Sequence, residues 1–311
     1  KPITIDSAVA PTLALATSDF CYDSTDQASL TIDITDGVAP YSYSINGGGQ
    51  NSVVGNQFTV PNLTPNTYNI IVTDAFGCTS NTITETIEPQ LTANAVLTQD
   101  LLCTGNAIID VTIANGYIPY ATYQVQVDGG GYGAITPIVG NSFTYNGAAV
   151  AGTYQFLITD ARNCTIEANE VIVTDALPAT STPIITHVTC NGDTNGIVDL
   201  NISGGSAPYS IVFDGSAPST QEIYTDLAAG SYNYGITDSK GCVTTGTAVV
   251  NEPNALILTT GITTDYDCTS GAATISVTNV NGGTGPFEYS IDGVNFDGTT
   301  AFTGLLDGTY T

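Results

Sequence analysis

Seven cysteines at regular spacing are the residues most able to do chemistry in this chain. Cys21, Cys103, Cys190 and Cys268 stand 82, 87 and 78 residues apart, and Cys78, Cys164 and Cys242 fall between them. Not one lies in a C-x-x-C arrangement, which argues against zinc and dithiol redox chemistry and leaves disulfides. Acid–base or nucleophilic catalysis through histidine would have to use His187, the only one, set in the run PIITHVTC as an ordinary strand residue. The 29 acidic residues are spread along strands and turns, which reads as a solvated acidic face rather than a paired-carboxylate site. GGGQ and GGGYG have no helix behind them to cap a phosphate.

Calcium is the one ligand suited to such acids, because hard oxygen donors on turns hold it. The weak candidates are Asp23 and Asp26 in CYDSTDQ and Asp193 in CNGDTNG. Asp74, Asp160 and Asp238 in the TDxxxC turns are calcium candidates too, but their expected role is to accept bonds from the following backbone amides. No tightly held metal or other cofactor is expected.

The elements that position these groups repeat. APYSYSING from Ala39 returns as IPYATYQVQVDGG from Ile118, APYSIVFDG from Ala207 and GPFEYSIDG from Gly285. An alternating strand precedes each copy: SLTIDITDG, AIIDVTIANG, GIVDLNISGG and ATISVTNVNGG. Such self-similarity defines the architecture before any single residue does. The units read as residues 11–89, 90–178, 179–253 and 254–311, with 1–10 resembling the last strand of a preceding unit. The chain is expected to be an excerpt from a longer array, its fourth copy stopping early. Linkers fall at Glu88-Pro89-Gln90, Leu177-Pro178 and Glu252-Pro253-Asn254, since proline cannot extend a paired strand.

Period-two alternation dominates, with Leu30, Ile32 and Ile34 opposite Thr31, Asp33 and Thr35, and no helical stripe occurs. Several short strands per unit of about 80 residues, punctuated by Gly, Asn and Asp, predict an all-β tandem array of small Ig-like or fibronectin III-like β-sandwiches. LTPNTY predicts a tyrosine corner, placing Tyr68, Tyr154, Tyr232 and Tyr310 at its four copies. In each Pro-Tyr phrase proline marks a turn and the aromatic enters the core.

The formal net charge is −26, with Lys1, Arg162 and Lys240 as the only Lys and Arg residues. That excludes nucleic acid and anionic membrane as direct partners, both of which need a basic face. Hydrophobic residues at 42% argue against disorder. No apolar run approaches a membrane span.

The succession of a leading Cys, an alternating strand, G-G-x-x-P-Y, Y-S-I-D-G, L-x-x-G-x-Y and T-D-x-x-G-C resembles the SprB-type repeats of large adhesins of gliding Bacteroidetes. The departures are TDGVAP at 35–40, DARNC as the second closing turn and an insertion at Gly129–Gly140. The resemblance implies an extracellular, outer-membrane-associated protein exported by type IX secretion, working with the gliding machinery in attachment. Its implied partners are neighbouring repeats and a substratum or surface polysaccharide. Seven recurring cysteines fit an oxidising compartment. The acceptor patterns at Asn62, Asn163 and Asn201 are incidental in a bacterial protein, and Asp6-Ser7-Ala8 matches a short O-glycosylation motif. A stack of three and a half sandwiches would reach on the order of 120 Å. The other functional class is a lectin-like module, for which the insertion is the candidate loop and Tyr132 its only aromatic.

Two regular disulfide schemes exist. Pairing inside a unit joins Cys21 to Cys78, Cys103 to Cys164 and Cys190 to Cys242; pairing across a linker joins Cys78 to Cys103, Cys164 to Cys190 and Cys242 to Cys268. The near-constant separation of 25 or 26 residues favours the second. The first is the one expected, because the resembled repeat carries both cysteines as one unit and can close before a neighbour folds.

Overall fold

A computed structural model describes residues 8–23 and 25–311, so most of the strand-like stretch 1–10, including the start of Asp6-Ser7-Ala8, lies outside the described residues. The chain divides into two compact units, 1–175 and 176–311. Every regular element of the described residues is a β-strand or a turn.

The first unit holds repeats 1 and 2. Repeat 1 comprises β1 (Thr12–Leu15), β2 (Ala28–Thr35), β3 (Tyr41–Ile45), β4 (Asn51–Val53), β5 (Gln57–Leu63), β6 (Asn66–Thr73) and β7 (Ile83–Ile87). They form two antiparallel sheets, β1-β2-β5 and β4-β3-β6-β7. The alternation in β2 has the expected result: Ala28, Leu30, Ile32 and Ile34 are buried between the sheets with Ile70, Val72 and Ile87. A side-chain period of two forces this, since the odd-numbered partners must then face water.

Repeat 2 comprises β8 (Thr92–Gln99), β9 (Ala107–Ala114), β10 (Thr122–Val127), β11 (Thr136–Pro137), β12 (Ser142–Ala148), β13 (Gly152–Thr159), β14 (Thr165–Glu167) and β15 (Val171–Val173). Its sheets are β12-β9-β8 and β11-β10-β13-β14, with β15 also pairing β13. The insertion adds the short edge strand β11 to β10.

In the second unit, repeat 3 comprises β16 (Ala179–Ser181), β17 (Ile184–Thr186), β18 (Gly196–Asp199), β19 (Ile202–Gly204), β20 (Ser210–Phe213), β21 (Ile223–Leu227), β22 (Gly230–Thr237) and β23 (Val243–Val250). One sheet is β20-β22-β23, and the other is split into β17-β18-β21 and β16-β19. The split falls at Asn201, whose φ of +42 interrupts the ladder. Val198, Leu200, Ile211, Phe213 and Ile236 fill its core.

Repeat 4 has one sheet, β24 (Ile257–Thr264), β25 (Ala273–Asn281) and β26 (Ala301–Leu305), in the order β24-β25-β26. Its apolar residues line an open cavity of about 340 Å³ that includes Leu258, Ile275, Val277, Phe287 and Phe302. Strands β6, β13 and β22 belong to the sheet that faces the equivalent surface in the other repeats.

The Pro-Tyr phrase closes a second tyrosine pin that the sequence did not announce. The hydroxyls of Tyr41, Tyr120 and Tyr209 donate to the carbonyls of Asp36, Asn115 and Gly204, five residues back, at 2.9, 2.9 and 2.6 Å. The glycine turn beside it is sterically obligatory in repeat 2. Gly116 has φ +65, and a Cβ there would lie 2.9 Å from Asp160 Oδ2 and from Leu91 Cδ1.

Candidate functional site: the joint between repeats 1 and 2

The TDxxxC turns are built around buried aspartates. Asp160 Oδ1 accepts the amides of Arg162 and Cys164 at 2.8 and 3.0 Å, and Oδ2 accepts the amide of Tyr117 at 2.9 Å. The same three bonds form at Asp74, from Phe76, Cys78 and Val38, and at Asp238, from Lys240, Cys242 and Ser206. All three carboxylates are buried. At Asp74 burial pushes the pKa up, but the amides of Cys78, Val38, Phe76 and Gly77 outweigh it and hold the carboxyl below its usual range. Each aspartate ties the closing turn to the Gly-rich turn before the Pro-Tyr phrase, and so fixes both ends of that edge of the sandwich.

In repeat 2 this assembly meets repeat 1. Cys164 is 8% exposed and disulfide-bonded to Cys21, with a Cα–Cα distance of 5.3 Å and a sequence separation of 143. Asp19 holds the other side, its Oδ1 accepting the Cys21 amide at 3.0 Å. The Arg162 guanidinium lies 4.0 Å above the Phe20 ring and 5.8 Å from that of Tyr117, and donates to Glu85 at 3.3 Å. Tyr117 packs against the core of repeat 1 and meets Phe20 edge-on at 6.1 Å. Its hydroxyl accepts the Glu88 amide at 3.1 Å and lies 3.2 and 3.1 Å from the carbonyls of Phe20 and Thr86. Burial raises the Tyr117 pKa, against the pull of the Glu88 amide and the Arg162 charge. Gly116 N–H donates to Pro89 O at 3.0 Å, which ties the linker itself into the joint. Buried aromatics with an arginine at the centre are what a specific interface uses.

The disulfide corrects both regular schemes. Cys21 precedes the start of β2, whereas Cys78 sits in the turn bonded to Val38, beyond the end of β2. Eight residues of strand at about 3.3 Å each put the two at opposite ends of the sandwich, about 26 Å apart along its axis, so Cys21 cannot reach Cys78. The same geometry separates Cys103 from Cys164 across β9, which rules out in-unit closure there. It also puts Cys103 at the end of repeat 2 remote from this joint, out of reach of Cys78. What meets is the leading end of repeat 1 and the closing end of repeat 2. Neither Cys103 nor Cys242 is a free thiol, whereas Cys78, Cys190 and Cys268 are. Cys78 and Cys190, expected in disulfides with Cys21 and Cys242, are therefore unpaired.

The other candidate residues are dispersed. Asp23 Oδ1 accepts the amides of Thr25 and Asp26, each at 2.6 Å, and the Thr25 hydroxyl at 2.8 Å; these bonds lower its pKa, that from the Thr25 side chain most. Asp26 contributes its own amide and carbonyl to that turn. Asp193 Oδ2 accepts from the Thr189 hydroxyl and the Cys190 amide at 3.0 and 3.1 Å. Among the described residues no three His, Cys, Asp or Glu side chains converge as a metal site would require. His187 follows β17, is exposed, and accepts the Asn251 amide through Nδ1 at 3.1 Å. Tyr68, Tyr154, Tyr232 and Tyr310 donate to the carbonyls of Thr64, Val150, Ala228 and Leu306, each four residues back, at 2.9, 2.9, 2.8 and 3.1 Å. Tyr132 of the insertion donates to Glu167 of β14 at 2.6 Å. Burial, with that bond, pushes its pKa up to about 12.

Neither Tyr117 nor Arg162 carries a motif that marks it as a joint residue. Arg162 was visible only as the oddity of DARNC, one of three cations in an acidic chain.

Comparison with known proteins supports the repeat. The family model described as SprB repeat matches residues 182–217. No curated protein matches the chain. Among solved structures, the N-terminal eight Ig domains of Down Syndrome Cell Adhesion Molecule align at 13% identity and TM-score 0.26. That alignment covers 77% of this chain and 37% of the other, so the chain spans well under half of it. The fibronectin(III)-like modules of Clostridium thermocellum CbhA align at 9% identity and TM-score 0.27, covering 52% and 94%. The central fibronectin-III array of RIM-binding protein aligns at 12% identity and TM-score 0.21, covering 80% and 100%. Likeness at these values says nothing of what the chain binds.

Proposed function

We propose, for a chain that carries an SprB repeat at residues 182–217, a non-catalytic role as a repeat array of a large cell-surface adhesin. It serves as stalk and attachment surface, exported by type IX secretion and used in gliding or surface adhesion. The observation that carries this reading is the joint between repeats 1 and 2. Its disulfide and the Tyr117–Phe20–Arg162 contact hold consecutive sandwiches end to end, which an array that transmits pull to a distant surface needs. A free linker would let each repeat swing. The disulfide also fits display outside the cytoplasm, where such bonds persist.

The acidic surface supports the same reading, because like charge on neighbouring units opposes collapse until salt screens it beyond about 8 Å. The lectin-like reading has less support, since the hydroxyl of Tyr132, the aromatic of the insertion, is engaged by Glu167. Calcium would have to displace the turn bonds already made by Asp23 and Asp193.

An antibody raised against the chain tests the proposal. It should bind intact producing cells and reduce their attachment to glass. Binding only after the cells are lysed, or binding without any effect on attachment, would overturn it.

A further inference from the structure

The end of repeat 1 remote from the joint carries the same fittings as the docked end of repeat 2. Asp74 gathers the amides of Phe76, Cys78 and Val38 as Asp160 gathers those of Arg162, Cys164 and Tyr117. In repeat 2 the cysteine is covered and bonded to Cys21. In repeat 1 the cysteine is a free, half-buried thiol, and the flanking Phe76 and Val38 are 71% and 44% exposed. Phe76 and Val38 thus stand exposed beside a thiol held by its own turn. They occupy the two positions that, one repeat later, make the joint.

We propose that this face of repeat 1 docks the leading-cysteine corner of another SprB-type unit of the same polypeptide, standing before repeat 1 as repeat 1 stands before repeat 2. Cys78 closes a disulfide with that unit's leading cysteine. The step is a thiol–disulfide exchange: the Cys78 thiolate attacks a mixed disulfide on the partner cysteine and expels the carrier thiolate. The two electrons thus pass to the disulfide of an extracytoplasmic oxidoreductase or small-molecule carrier that first loaded the partner. The chemistry of the face also selects its occupant. Arg162 stacks on Phe20 and pairs with Glu85 in the known joint. Phe76 carries no charge, so the residue ahead of the partner cysteine is apolar and needs no acid beside it. The inference rests on the tandem-array reading above.

The test is non-reducing peptide mapping of the native polypeptide, alkylated at harvest to trap free thiols. The Cys78 peptide should be recovered joined to a cysteine at the head of an alternating strand in the preceding unit. Cys78 recovered mainly as the alkylated thiol, capped by a small thiol, or joined to Cys190 or Cys268 of a second copy overturns the proposal. Phe76→Asp should lower the joined fraction several-fold, while Phe76→Leu should keep it, because leucine leaves the face apolar. Equal joining in both variants would show that the face does not recognise its partner, and would also overturn the proposal. If Cys78 proves free while Cys21–Cys164 is intact and the chain is still displayed on cells, this inference alone fails. Absence of surface display would instead break the array reading.

Discussion

The closing turns of repeats 1 and 2 share one backbone design and differ in what covers it. Asp74 and Asp160 each hold three amides, and both turns end in a cysteine. Around Asp160 the side chains are Tyr117, Arg162 and Cys164, all engaged with repeat 1; around Asp74 they are Val38, Phe76 and Cys78, two of them exposed. The turn is therefore a property of the single repeat, and docking is a property of the side chains mounted on it. An array can vary its joints in this way without disturbing its sandwiches.

The largest expected effect on that contrast comes from the disulfide. Cys164→Ser should remove about 5 kcal/mol by the loop-closure estimate for a separation of 143 residues. Cys78→Ser should shift stability by less than about 0.5 kcal/mol. Calorimetry of the two variants checks this, and equal shifts would break the contrast.

A smaller effect should treat both turns alike. Asp160→Ala leaves one buried and two part-buried amides without their acceptor, a cost of about 3 kcal/mol. Asp74→Ala should disorder the closing turn of repeat 1 in the same manner. Hydrogen exchange at the Cys164 and Cys78 amides is the readout. Loss of protection in one variant but not in the other would show that the aspartate cradle is not common to the units.

The smallest effect belongs to Tyr117. Tyr117→Phe should cost about 1 kcal/mol, the net value of a hydrogen-bonded hydroxyl. Because burial raises its pKa in the folded state, the contribution is fully present below the ordinary tyrosine value of about 10 and is lost as pH rises through the raised folded value. Ultraviolet difference titration of the parent against Tyr117→Phe, run beside thermal melts from pH 8 to 12, isolates it. A tyrosine that titrates at the ordinary value would mean that the joint does not bury this hydroxyl. Repeat 1 has valine at the matching place and should show no such loss.

Residue types and spacing alone determined the repeat, the strands and the sandwich. Alternation such as Leu30-Ile32-Ile34 leaves one way to bury an apolar face. The tyrosines of the L-x-x-G-x-Y pattern and the aspartates of the closing turns were equally legible, because their bonds reach only a few residues along the chain or to an adjacent turn. The pins at Tyr41, Tyr120 and Tyr209 act over five residues and are just as local in sequence. The partner of Cys21 was beyond such reading. Cysteine spacing counts residues, whereas a disulfide needs two Cα atoms about 5 to 6 Å apart. Which cysteines come that close depends on which ends of two folded sandwiches meet. Strand β2 carries the leading and closing cysteines of repeat 1 to opposite ends, and stacking then brings the leading end of repeat 1 against the closing end of repeat 2. Phe20, Glu85, Tyr117 and Arg162 became one site by that same act of stacking, from positions up to 142 residues apart in sequence.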